Sequence, residues 1–92
     1  MAVTVRVPQL LRGLTNGEKE VQVEASTVAE AIQALELRYP GIRQRLVDGG
    51  GDLHRYVNLF VNDQDVRLLS GLDTPLPEGS EIAIVPAMAG GC

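Results

Sequence analysis

Glu81-Ile82-Ala83-Ile84-Val85-Pro86 is the stretch on which the reading of the fold turns. Side chains alternate across a strand, so Ile82 and Ile84 share one face and Ala83 and Val85 the other. Pro86 lacks the N–H that a ladder needs and is expected to stop the strand. Near the other end of the chain, Val3, Val5 and Val7 alternate with Thr4 and Arg6, which predicts a strand with one apolar face. Two such strands, first and last in the chain, are expected side by side at the centre of one sheet.

The pattern between them changes period. Thr15-Asn16-Gly17-Glu18 is a turn signal, because Asn-Gly supplies the positive φ angles of tight turns. Val21 and Val23 then mark a second strand, hairpin-paired with the first. Thr27-Val28-Ala29-Glu30 opens a helix with the spacing of a capping box. Val28, Ala31, Ile32 and Leu35 form one apolar stripe, with Glu30, Gln33, Glu36 and Arg38 off it. Pro40-Gly41 ends that helix, and Ile42, Leu46 and Val47 suggest a short second one. Gly49-Gly50-Gly51 reads as a loop.

Tyr56 to Val61 is the third strand, with Val57, Leu59 and Val61 on one face and Asn58 and Phe60 on the other. Asn62-Asp63-Gln64-Asp65 is a turn leading to a short strand around Val66-Arg67. Ser70-Gly71 and Pro75 to Gly79 are loops. The order strand, strand, helix, strand, short strand, strand predicts an α+β fold of the β-grasp type, a mixed sheet of about five strands covered by one main helix. Residues 1–85 form the body in this reading, and 86–92 a flexible C-terminal tail.

Composition narrows what such a body can do. A chain of 92 residues implies one domain, which buries about 60–65% of the surface its unfolded form exposes. Hydrophobic residues are 45% and aromatics 3%, so the core must be built from Val, Leu and Ile. The net charge of -4, with scattered basic residues, argues against nucleic acid and anionic membrane as partners. It favours a partner with a basic or mixed-charge docking surface. One cysteine and one histidine are too few for a structural zinc site. No apolar run approaches the roughly 20 residues of a membrane span. The first residues read directly as a strand and not as a signal peptide, so the cytoplasm is the expected location. A monomer is expected for the chain alone.

The helix opening Thr27-Val28-Ala29-Glu30-Ala31-Ile32, the segment Tyr56 to Arg67 and the ending Glu81 to Gly91 resemble the ubiquitin-like sulfur carriers, the ThiS and MoaD family. The resemblance covers nearly the whole chain. Leu53-His54-Arg55-Tyr56-Val57-Asn58 and Val85-Pro86-Ala87-Met88-Ala89-Gly90-Gly91 are similar to its CysO branch, which serves cysteine synthesis. The resemblance implies a carrier, not an enzyme. Its Gly91 carboxyl group would be adenylated by an E1-like enzyme using ATP and converted to a thiocarboxylate. A cysteine synthase-type enzyme with pyridoxal phosphate would then present an aminoacrylate, to which the sulfur adds. ATP and pyridoxal phosphate belong to those partners, and this chain binds no cofactor in this reading. Other readings are a carrier for thiamin or molybdopterin synthesis, a protein modifier joined to lysines through Gly91, and a β-grasp interaction domain without tail chemistry.

The ending suits carrier chemistry on physical grounds. A carboxylate becomes a good electrophile only once an oxygen is turned into a leaving group, and this requires entry into a partner's active site. Residues 86 to 91, extended at about 3.3 Å each, reach about 20 Å. Gly90 and Gly91 have no Cβ to obstruct a narrow channel.

Cys92 departs from the family pattern, in which the mature chain ends at the second glycine. With Cys92 attached, the Gly91 carboxyl is tied up in a peptide bond. Three accounts stand side by side. In the first, Cys92 corresponds to the cysteinyl adduct: the cysteine thioester rearranges through a five-membered ring to the amide. By the resemblance, a JAMM-type metalloprotease would then release cysteine. In the second, the chain is a precursor trimmed before activation. In the third, the cysteine was added as a mimic or labelling handle.

The remaining candidates read more plainly. His54 has no nearby cysteine or serine and reads as a surface or loop histidine. Asp63 and Asp65 lack the glutamate and spacing of a calcium loop and suit a hairpin turn. Gly49-Gly50-Gly51 lacks the Lys-Ser or Lys-Thr of a phosphate-binding loop. Phe60 and Val85 are different: alternation turns both to the open face of the sheet. An apolar patch there, rimmed by Arg6, Asn58 and Arg67, is expected to dock on the activating enzyme.

Overall fold

The computed structural model describes residues 2–54 and 57–86. Its strands are β1 (Ala2–Arg6), β2 (Glu20–Glu24), β3 (Val57–Val61), β4 (Gln64–Asp65) and β5 (Glu81–Pro86), and its helices α1 (Val28–Arg38) and α2 (Ile42–Leu46). The strands form one sheet in the order β2-β1-β5-β3-β4. β1 and β5 run parallel at its centre, with Val5 beside Ile82, and every other pairing is antiparallel. This is the β-grasp arrangement that the order of the sequence patterns predicts.

The apolar alternation points to one side of the sheet, where α1 lies. Val3, Val5, Leu59, Ile82 and Ile84 are each at most 5% exposed, as are Val28, Ala31, Ile32 and Leu35 of the helix stripe. Ile42 and Leu46 of α2 close one end of this layer. The core is aliphatic, as the scarcity of aromatics requires.

Local chemistry sets the ends of the elements. The Thr27 hydroxyl accepts from the Glu30 N–H at 3.2 Å, as expected of an N-cap. The Glu30 carboxylate reaches one residue further back than a capping box predicts, to the Ser26 N–H at 2.8 Å. α2 starts at Gly41, whose φ of 103° suits a residue without a Cβ and which has no side chain to cap with. Glu36 supplies the missing acceptor, taking the Arg43 N–H at 2.9 Å and the Gly41 N–H at 3.1 Å.

Two expectations are corrected. The short strand expected around Val66-Arg67 is instead β4, two residues earlier, and Val66–Leu68 forms a 3-10 turn. Asn62 and Asp63 both take positive φ, 50° and 72°, so the chain reverses in two residues and Gln64 pairs at once with Val61. The Asp65 carboxylate then accepts the Arg67 N–H at 2.8 Å and diverts the chain, dropping Val66 into the core. The β1–β2 pairing is the expected antiparallel hairpin. Asn16 and Gly17 adopt the expected positive φ, but a 3-10 segment, Gln9–Leu14, precedes them. Finally, Pro86 does not stop β5 at Val85; it pairs opposite Val57 as the last strand residue. Proline's fixed φ suits an extended backbone. The expected start of β3 at Tyr56 lies outside the described residues.

The Glu36 cap carries a pH signature. The Arg43 N–H first, and then the Gly41 N–H, hold its carboxyl below the ordinary value of 4.5. A group lowered in the fold stabilises above its unfolded pKa and loses that contribution as pH falls through its folded pKa. Melting temperatures of the wild type and Glu36→Gln, followed from pH 7 to pH 3, test this. The wild type is expected to be the more stable at pH 7, with the gap closing below about pH 4.

Candidate functional site

The face of the sheet away from α1 is built by the other half of the alternation. Strand register aligns Glu20, Arg6, Ala83, Phe60 and Asp65 in one row across all the strands. The next row towards the end of β5 sets Asn58 opposite Val85. Phe60 and Val85 are thus diagonal neighbours on paired strands, within reach of one another's side chains. Val85 is 43% exposed and Phe60 half-buried, with Ala83 between them. The expected rim is present, but its cations are engaged. Arg6 Nε lies 2.9 Å from Glu81 Oε2 and 3.7 Å from Glu20 Oε2. Arg67 donates to the Asn58 side-chain oxygen and, at 2.6 Å, to the His54 carbonyl. Arg67 therefore ties the segment before β3 to β3 itself.

The other candidates serve the backbone. His54 Nε2 is 3.0 Å from the Gln44 carbonyl, and the His54 N–H donates to Leu46, so this residue moors the end of α2. Asp63 occupies the two-residue turn, and Asp65 caps the 3-10 turn after β4. In the glycine loop, Asp48 Oδ1 accepts from Gly50 at 2.8 Å and Asp52 at 3.1 Å. The Asp52 N–H, then that of Gly50, keep the Asp48 carboxyl below its usual range. Among the described residues no group of three or more His, Cys, Asp or Glu could hold a metal ion. None of the described helices is long and apolar enough to cross a membrane.

Gly90, Gly91 and Cys92 lie outside the described residues. What the structure does place is the last strand before them: β5 is central, flanked by β1 and β3, and its final residue is Pro86. Ala83, placed by alternation on the face of Val85, completes the apolar patch. Asn62 is a feature the sequence reading missed: its side-chain oxygen accepts the Glu81 N–H at 3.0 Å and so starts β5. No sequence pattern signals that contact.

A β-grasp body whose central last strand leads towards a Gly-Gly ending defines the class of ubiquitin-like carriers. The ThiS family model matches residues 5–91. The sulfur carrier protein CysO of Mycobacterium tuberculosis is 46% identical over 93 residues, covering 99% of this chain and 100% of that protein. The chain belongs to the ThiS family. A crystal structure of the Amycolatopsis orientalis BexX/CysO complex matches with a TM-score of 0.89 at 45% identity, over 92% of this chain and 94% of that one. The small archaeal modifier protein 1 of Methanosarcina acetivorans matches with a TM-score of 0.85 at 27% identity, over 98% of this chain and 96% of that one.

The Arg67 clip is open to test. Arg67→Ala is expected to lower stability by about 1 kcal/mol in urea unfolding and to speed amide exchange at Val57, whose N–H donates to the same His54 carbonyl.

Proposed function

We propose that this chain carries sulfur on the Gly91 carboxyl group for cysteine synthesis, acting in the cytoplasm. One observation carries the reading: the family match runs through Gly90 and ends at Gly91. The 46% identity to a sulfur carrier over the whole chain supports it.

In this reading an E1-like enzyme transfers AMP from ATP to the Gly91 carboxylate, releasing pyrophosphate. A sulfur donor then displaces AMP and leaves a thiocarboxylate. The thiocarboxylate sulfur adds to a serine-derived acceptor held by a pyridoxal phosphate enzyme. This forms a cysteine thioester, which shifts to the amide as the free cysteine amine displaces sulfur. A JAMM-type protease hydrolyses that amide and frees cysteine. Cys92 stands where this product residue would be. The chain's own part is mechanical and steric: the body docks, and side-chain-free glycines present the acyl carbon.

Phe60 and Val85 form the docking patch for the activating enzyme. The patch lies on the strand that leads into the tail and on its neighbour, so an enzyme that takes Gly91 also meets this face. Glu20 and Glu81 bracket Arg6 beside it, and with Asp65 and Arg67 they make a mixed-charge rim that suits a basic or mixed-charge surface on the partner.

The likeness to the small archaeal modifier protein favours a second reading, attachment of Gly91 to lysines of other proteins. Intact mass spectrometry of the chain from its own cell separates the two. Exchange of one Gly91 oxygen for sulfur, or an added cysteine, supports the carrier, whereas a ladder of protein conjugates supports the modifier. With ATP and the cognate E1-like enzyme, a chain ending at Gly91 is expected to take AMP, and the chain ending at Cys92 is not until that residue is removed. Failure of the chain ending at Gly91 to react would overturn both readings. Phe60→Asp is expected to keep the melting temperature and to lower kcat/KM for adenylation by about tenfold, as loss of a central interface anchor does.

A further inference from the structure

Asn62 marks the end of the sheet where β5 begins: its side chain holds Glu81, the first residue of that strand, whereas the Gly-Gly ending follows Pro86, about 17 Å further along. Beside Asn62, β3 and residues 69–77 form a groove of about 340 Å³. Leu69, Pro75 and Pro77 give it exposed apolar walls, Leu69 being 42% exposed. Its backbone offers few donors. Pro75 and Pro77 have no N–H. The N–H groups of Asn62, Leu69, Ser70 and Thr74 are spent on the Glu81 carbonyl, the Val66 carbonyl, the Thr74 hydroxyl and the Gly71 carbonyl. Asp63, Asp73 and Glu78 each adjoin a lining residue in the chain, and all three are exposed. Their carboxylates form no ion pair among the described residues, unlike Glu81, which is held by Arg6.

We propose that this groove takes up an arginine-bearing loop of a partner protein. The arginine stem lies along Leu69, Pro75 and Pro77, and its guanidinium sits among Asp63, Asp73 and Glu78. Walls and rim together select this chemistry. Apolar walls call for methylenes, while a donor-poor rim of unpaired carboxylates calls for a cation rich in N–H groups. Arginine carries both on one side chain, a hydrocarbon stem and a fork of five donors. An anion would meet three uncompensated carboxylates and few donors. A second copy of this chain brings its own net charge of -4 and is repelled. The groove and Pro86 lie at opposite ends of β5, so a protein bound here is spaced from the residues that precede the Gly-Gly ending. The site is independent of the carrier reading.

The probe is acetyl-Gly-Arg-Leu-Arg-Gly-amide, titrated into the isotope-labelled full chain and followed by NMR. Shifts are expected at Asn62, Leu69, Ser70 and Thr74, with affinity falling as salt is raised. The triple variant Asp63→Asn/Asp73→Asn/Glu78→Gln is expected to keep its melting temperature and to bind the probe about tenfold more weakly, through loss of several exposed charge pairs. Asparagine tolerates the left-handed backbone that Asp63 adopts, so the turn survives the change. A probe whose arginines each lack two side-chain methylenes keeps the guanidinium and is expected to bind about fivefold more weakly, since the stem no longer covers the walls. Equal binding by the triple variant, equal binding of the short-stemmed probe, shifts confined to another surface, or no binding at millimolar probe would each overturn the proposal. So would spermidine matching the probe in shifts and affinity, which would mark a site for free polyamines, or dimerisation of the chain through this groove in sedimentation.

Discussion

The parallel contact between β1 and β5 is the constraint on which everything else rests. It joins the two ends of the chain, and it must form across nearly the full length of the sequence. Neither strand could be held there by its own hairpin, since a parallel pair needs a long crossover. The cost of closing that loop is offset by the aliphatic layer between the sheet and α1, to which both strands contribute fully buried side chains. β2 and β3 then pair on the outer sides of this central couple, and β4 adds to β3.

Because both central strands spend one face on the core, the other face carries no helix among the described residues. Core and exposed apolar patch are thus two readings of the same alternation. Shifting β5 by one residue would bury Ala83 and Val85 and expose Ile82 and Ile84. Asn62 guards against this by holding the first N–H of β5 from the neighbouring turn. The electrostatics of the face work in the same direction: Arg6 bridges β2 and β5 through Glu20 and Glu81, pairs exposed enough to orient more than to stabilise.

Much of this was legible because it depends on period. The four long strands, the α1 stripe and its Thr27 cap, and the outward aim of Phe60 and Val85 follow from spacing alone. The misses share a different cause. β4 and the 3-10 turn after it depend on two residues taking left-handed backbone together and on a carboxylate capping its neighbour, which no periodicity reports. The same holds for Glu36 serving a helix other than its own, and for Arg67 crossing from one segment to another. Rim cations could be placed from sequence, but their engagement by Glu81, Asn58 and the His54 carbonyl could not. The reaction at the Gly-Gly ending was legible only through resemblance, since its missing Cβ atoms argue for entry into a narrow channel and not for any one chemistry.

The position of β5 also has a mechanical consequence. Any enzyme that draws the terminal glycines into a cleft pulls on Pro86, and the tension runs lengthwise down a strand gripped from both sides. Its ladder bonds are then strained in shear, many at once, and are not peeled apart singly as they would be at a sheet margin. The body can act as a firm handle while its end is worked on.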